Sequence, residues 1–144
     1  PCTLSGSARV PMLSMEVEKS GKEGERGECV SGTIGIEGDG LSGAVYLHFT
    51  AALARKAAAA MVGFAEAEVD ALMENDVTSE LTNMIGGGIK SALCDAGQAC
   101  AMSTPSIVRG PAFAVELPPG TQCEKFVFES RGETLAVEIH LKRE

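Results

Sequence analysis

The chain has 144 residues, 44% hydrophobic and 22% charged, a balance that argues for one compact domain with its own core and against a disordered or coiled-coil chain. Its formal net charge of -8, with no clustered basic face, argues against nucleic-acid binding and leaves the acidic residues as a solvated surface. No stretch approaches the roughly 18 consecutive apolar residues of a membrane span, and residues 1 to 12 lack the pattern of a secretory signal, so a cytoplasmic location with no membrane role is expected.

Five cysteines (Cys2, Cys29, Cys94, Cys100, Cys123) are odd in number and widely spaced, with no C-x-x-C pair and only two histidines to join them. Reduced, buried thiols are expected, and neither a zinc site nor a disulfide framework.

In chain order, residues 1 to 12 carry Pro1, Gly6 and Pro11 and no sustained helical period, which reads as loop or a short frayed helix. A short strand near Met15 to Val17 is followed by the charged, Gly-containing stretch Glu18 to Gly27, read as a surface loop. Cys29 to Glu37 and Leu41 to Phe49 alternate on either side of Asp39-Gly40, which predicts a β-hairpin. Thr50 is placed to cap a helix over Ala51 to Met61, a run rich in the best helix former, closing at Gly63.

A second helix is predicted from Asn75 or Asp76 to about Asp95, with Gly97 as terminator. Strands are then predicted at Ala99 to Met102, Ile107 to Val108, Ala112 to Glu116, Gln122 to Ser130 and Glu133 to Lys142, the last two joined through Arg131-Gly132. Gly40 to His48 and Gly132 to His140 share a weak pattern that fits either an internal repeat or two similar amphipathic hairpins. The whole predicts an α+β fold of two layers, long helices packed on a largely antiparallel β-sheet in a single domain over 1–144.

The second helix is the informative one. At about 100° per residue, Leu81, Met84, Ile85, Ile89, Ala92 and Leu93 share one broad side, while Glu80, Asn83, Gly87 and Lys90 form a narrow stripe facing solvent. Glu80 and Asn83 thus project together at i and i+3. Each glycine of Gly86-Gly87-Gly88 costs about 1 kcal/mol relative to Ala in a helix interior. Packing of the sheet against Gly88 would account for one, and Gly87 on the polar stripe would let another molecule approach the bare backbone. A packing or bending role for all three is the alternative. His48 and His140 lie in strands, with no neighbour suited to a nucleophilic or metal site, and are read as structural.

Glu-x-x-Asn alone is common on solvated helices. The longer string Glu80-Leu-Thr-Asn-Met-Ile85 followed by Gly87 resembles the active-site helix of CheX-type members of the CheC/CheX/FliY chemotaxis phosphatase family. Ser31-Gly-Thr-Ile-Gly-Ile-Glu-Gly-Asp39 and Thr104-Pro-Ser-Ile-Val-Arg-Gly110 resemble its first hairpin and the Pro-Ser segment after the active helix, so the likeness runs from about Val30 to the C-terminus. Residues 1 to 12 depart from relatives, which open with a longer amphipathic helix. The helix over Ala51 to Met61 has neither Glu nor Asn, which implies one site per chain, the CheX arrangement.

The resemblance implies a CheX-like phosphatase acting on the aspartyl phosphate of a CheY-type response regulator. Asn83 would hold the attacking water in line and Glu80 would pair with a regulator lysine. On the same stripe Gly87 would let the partner approach, and Lys90, one turn beyond it, is either a docking contact or a plain solvated lysine. No cofactor bound by this chain is implied, Mg2+ coming with the regulator, and a homodimer through the strands between Ala99 and Glu116 is implied as well. Two other classes compete: a non-catalytic CheC- or FliM-like binding module, which would keep the fold while losing Glu80 or Asn83, and a structural dimer scaffold, which needs no exposed Glu and Asn beside a bare glycine.

Overall fold

A computed structural model describes residues 3–4, 8–10, 15–19, 28–111, 118–130 and 132–143, the first three stretches and Ser130 at the level of backbone pairing. Its strands and helices follow in the order β1 (Thr3–Leu4), β2 (Ala8–Val10), β3 (Met15–Lys19), β4 (Glu28–Gly38), β5 (Leu41–Thr50), α1 (Ala51–Val62), α2 (Ala71–Asp95), β6 (Cys100–Met102), β7 (Ser106–Pro111), β8 (Gln122–Ser130) and β9 (Glu133–Arg143). The nine described strands form one sheet along the path β2-β3-β8-β9-β5-β4-β6, with β7 also on β4 and β1 on β8. The described pairs are antiparallel except β1 with β8. The expected two-layer α+β architecture is present.

Register explains the two faces. Val30 lies opposite Phe49, Phe49 opposite Leu135 and Leu135 opposite Phe128, while Leu47 lies opposite Val137. Alternation puts all of these on one face, where they are buried with Leu53, Ala54, Ala57 and Ala58 of α1 and Val77 and Leu81 of α2. The alanine run of α1 has no bulk to hold the helix away from the strands. Thr50 caps it, accepting a hydrogen bond from Leu53 N at 3.2 Å, and Gly63 closes it with φ 75°.

The other face carries polar rows. Tyr46 sits opposite Glu138, His48 opposite Ala136 and His140 opposite Ala44, so the two histidines take equivalent diagonal positions about the Tyr46–Glu138 pair. Ser31 Oγ lies 2.7 Å from His48 Nδ1, and His48 and His140 lie 3.5 and 3.7 Å from Glu138. His48 beside it, reinforced by Lys125 and His140, holds the Glu138 carboxyl below its usual range, and burial holds His140 below its own. Among the described residues no group of His, Cys, Asp or Glu is arranged to hold a metal ion.

Several expectations need correction. Residues 1 to 12, read as loop or frayed helix, contribute β1 and β2 to the sheet. Edge strands of two or three residues are too short to show an alternation. Helix α2 begins at Ala71, a turn earlier than predicted, because Asp70 takes the cap, its Oδ1 accepting from Met73 N at 2.8 Å. Asn75 lies inside the helix. The strand expected at 112–116 lies outside the described residues, and β7 is longer than its predicted Ile107 to Val108 core. Of the thiols, Cys29 is buried as expected, but Cys94 is exposed and Cys123 is disulfide-bonded, against the expectation of five reduced cysteines. No described helix is long and apolar enough to cross a membrane.

Candidate functional site

Helix α2 lies on the sheet through a close contact set by glycine. A Cβ on Gly32 of β4 would collide with the Thr82 side chain, whose Cβ would stand only 2.9 Å away. Thr82 Oγ1 donates to Thr78 O at 2.6 Å and Thr78 Oγ1 donates to Glu74 O at 2.8 Å, so both hydroxyls are satisfied inside the helix and add no polar cost to the buried face. One turn on, a Cβ at Gly86 would meet Ile34 Cδ1 at 2.9 Å and Met102 Sδ at 3.3 Å. Gly86, not Gly88, is the packing glycine, since Gly88 is exposed with nothing near it.

The buried stripe of α2 is Glu74, Val77, Thr78, Leu81, Thr82 and Gly86. Of the face expected from periodicity, Leu81 is buried, Met84, Ile85, Ile89 and Leu93 are half-buried, and Ala92 is exposed. The stripe is rotated toward small and hydroxyl-bearing residues because they allow the closest approach to β4.

The first turns of α2 are fixed by a charge cluster. Glu74 is 2% exposed, and its Oε2 accepts from Arg55 Nε of α1 at 3.1 Å while its Oε1 accepts from Arg109 Nη2 of β7 at 2.7 Å. Arg109 Nη1 also donates to Asn75 Oδ1 at 2.9 Å, and Glu28 lies 3.6 Å from the same guanidinium. One buried carboxylate thus ties three elements together through charge-assisted bonds. The sequence reading assigned Glu66 to Glu80 to a solvated acidic surface and missed this. The available signal was Glu74 one helical heptad before Leu81, on the side facing the sheet.

With the inner side so held, the outer side is free. Glu80 and Asn83 are both exposed, Gly87 is half-buried with nothing within 4 Å of where a Cβ would stand, and Lys90 is half-buried one turn further on. Glu80 and Asn83 face solvent as periodicity predicts, whereas Gly87 and Lys90 are more covered than the expected solvent-facing stripe. A cleft of about 600 Å³ between the end of α2 and β8–β9, lined by Ile89, Leu93, Ile139 and Leu141 among others, lies apart from Glu80 and Asn83. An exposed carboxylate and carboxamide one helical turn apart can make polar contacts with another macromolecule. They do not suit an enclosed small-molecule site.

The two-layer fold matches that of CheX- and CheC-like chemotaxis proteins. The family model "Chemotaxis phosphatase CheX" matches residues 30–129. The chain belongs to the CheX family of chemotaxis phosphatases. Among solved structures it is similar to the chemotaxis protein CheX of Vibrio vulnificus (26% identity, TM-score 0.78, 91% of this chain and 86% of that one). It is also similar to a CheC-like superfamily protein of Shewanella sp. PV-4 (28%, TM-score 0.76, 92% and 88%). The CheX–CheY–BeF3–Mg2+ complex of Borrelia burgdorferi shares the fold (19%, TM-score 0.73, 92% and 89%). No curated protein sequence matches the chain.

Proposed function

We propose that this chain dephosphorylates the aspartyl phosphate of a CheY-type response regulator, with Asn83 positioning the attacking water and Glu80 docking the regulator. The observation that carries the reading is the joint exposure of Glu80 and Asn83 on a helix whose opposite side is pinned to the sheet. The CheX–CheY complex of the Borrelia protein supports the partner, and its BeF3, which has the shape and charge of a phosphoryl group on a carboxylate, supports the state recognised.

In the proposed reaction a water oxygen attacks phosphorus in line, the bond to the aspartyl oxygen breaks, and phosphate and a free carboxylate result. Asn83 offers one amide donor pair and one carbonyl acceptor, enough to orient a water but not to accept its proton. Phosphoryl transfer responds strongly to such positioning. Glu80, one turn away, would form a charge-assisted bond to a regulator lysine and set the docking angle. The Mg2+ would be the regulator's own, and the reaction would take place with it in the cytoplasm.

The test of docking is binding of the BeF3-loaded regulator. Glu80→Lys should weaken binding by roughly 30-fold or more, the scale of losing one charge-assisted pair and gaining a like-charge contact. Unchanged affinity removes Glu80 from the interface. Gly87→Ala separates docking from folding. A methyl there meets nothing within the chain, so thermal stability should rise by about 0.5–1 kcal/mol, while dephosphorylation falls because the regulator's approach is blocked. Lys90, beside it on the stripe, would contribute a weaker contact.

We also propose a homodimer through β6 and β7. Both pair with β4 at one end of the described sheet, and Val108 is 49% exposed there. Among the described residues nothing pairs with the outer side of these strands, and an open strand edge is a template for a second copy. Sedimentation should give twice the chain mass, and a monomer at micromolar concentration contradicts this assignment.

A further inference from the structure

Helix α2 continues past Glu80 toward its N-terminus, and that end carries apolar surface the proposed reaction does not use. Among the described residues four large hydrophobics are exposed, and three of them, Val62, Phe64 and Leu72, lie between residues 62 and 72, where α1 passes into α2. Leu72, in the first turn of α2, is 68% exposed. One exposed leucine is ordinary on a protein surface, so its place on the helix decides what it can do.

Leu72 precedes Asn83 by 11 residues. At about 100° and about 1.5 Å per residue, that is three turns and about 20°, with a rise of about 16 Å. Leu72 and Asn83 therefore project to the same side. Exposed Asp76 lies between them within about 20° of the same line, and Glu80 within about 60°. The fold gives Leu72 no task of its own: Asp70 caps the helix, Glu74 holds Arg55 and Arg109, and Val69, Met73 and Val77 turn to the core. The backbone leading to it is nevertheless fixed. Gly63 N–H and Phe64 N–H both donate to Ala59 O, Ala65 N–H donates to the Glu68 carboxylate, and buried Val69 seats the connection on the core. A side chain presented on fixed backbone binds with little ordering cost.

The surroundings define the chemistry that fits there. No Lys or Arg occurs between Lys56 and Lys90, whereas Glu66, Glu68, Asp70, Asp76 and Glu80 are all exposed. An apolar spot rimmed by carboxylates complements an apolar spot rimmed by cations. Size points the same way. An interface of standard size covers about 800 Å² a side, a patch about 30 Å across, and Glu80 and Asn83 alone supply no apolar centre for it. Leu72, about 16 Å from Asn83 along the helix, falls inside that footprint.

We infer that Leu72 is an apolar anchor for the response regulator that presents its phosphoryl group to Asn83, with the carboxylates around it facing basic residues of that partner. This rests on the proposed roles of Glu80 and Asn83 and adds to them a contact that holds the regulator without touching the reacting centre.

The test is titration of the full chain and its variants with a CheY-type regulator loaded with BeF3 and Mg2+. Leu72→Ser should weaken binding about 10-fold or more, the scale of losing an interface anchor, while its thermal midpoint stays at the wild-type value, as for a surface substitution. Leu72→Met keeps size and apolar character and should bind within about two-fold of wild type. A Leu72→Ser chain that binds as tightly as wild type, while Glu80→Lys binds weakly, overturns the inference and leaves the Glu80–Asn83 site standing. Undiminished binding by both variants, or no binding by the wild type, overturns both. Loss of self-association in Leu72→Ser with regulator affinity unchanged assigns the patch to a second copy of the chain and likewise overturns the inference.

Discussion

Asn83→Ala is expected to reduce dephosphorylation of the regulator by on the order of 100-fold or more, while affinity for the BeF3-loaded regulator stays within about two-fold. Asn83 is exposed, and no described hydrogen bond involves its side chain, so truncation leaves the fold untouched. What goes is the pair of amide groups that would hold a water on the line of attack. Asn83→Asp sharpens the point: it preserves shape, but its carboxylate cannot donate and repels the phosphoryl oxygens, so activity should fall as far as in the alanine variant. Phosphate release and binding, measured on the same preparations, decide between positioning and docking. Equal losses in both would make Asn83 a docking residue instead.

The second large effect is on stability. Glu74→Ala should lower it by about 3 kcal/mol, because it removes the buried carboxylate that accepts charge-assisted bonds from both Arg55 and Arg109 and joins α2 to its two neighbours. For a domain of this size the thermal midpoint should drop by roughly 10 °C. Arg109→Ala leaves the Glu74 carboxylate, 2% exposed, with only the half-exposed Arg55, and should cost a similar amount. Because Arg109 also holds Asn75, both variants loosen the first turns of α2, two turns before Asn83. Thermal unfolding of the two single variants and the double variant checks this. A double variant no worse than either single one is expected from a shared cluster, and additive losses would mean independent contacts.

The stripe of Glu80, Asn83, Gly87 and Lys90 was legible because helical periodicity acts on every residue of a long helix, and an error of one turn at its start does not rotate its faces. The β4–β5 and β8–β9 hairpins were legible from alternation flanking Asp39-Gly40 and Gly132. Close approach was harder to see. Nothing local shows that Gly32 lies under Thr82, or that Gly86 rather than Gly88 meets Ile34, since both depend on how α2 is seated on β4. Glu74 was hidden for a similar reason: its partners Arg55 and Arg109 are distant in sequence, so a buried ion cluster looked like surface charge. The short strands β1 and β2 have too few residues to carry a period.

The central claim is that the chain is a phosphatase and not merely a partner for its regulator. Its most direct test is the lifetime of a phosphorylated CheY-type regulator in the presence of Mg2+, followed in a single turnover with this chain in excess. The lifetime should shorten well below that of spontaneous decay, in proportion to the fraction of regulator bound. A regulator that binds the chain and yet decays at its spontaneous rate would contradict the account and make this chain a binding module on a CheX fold.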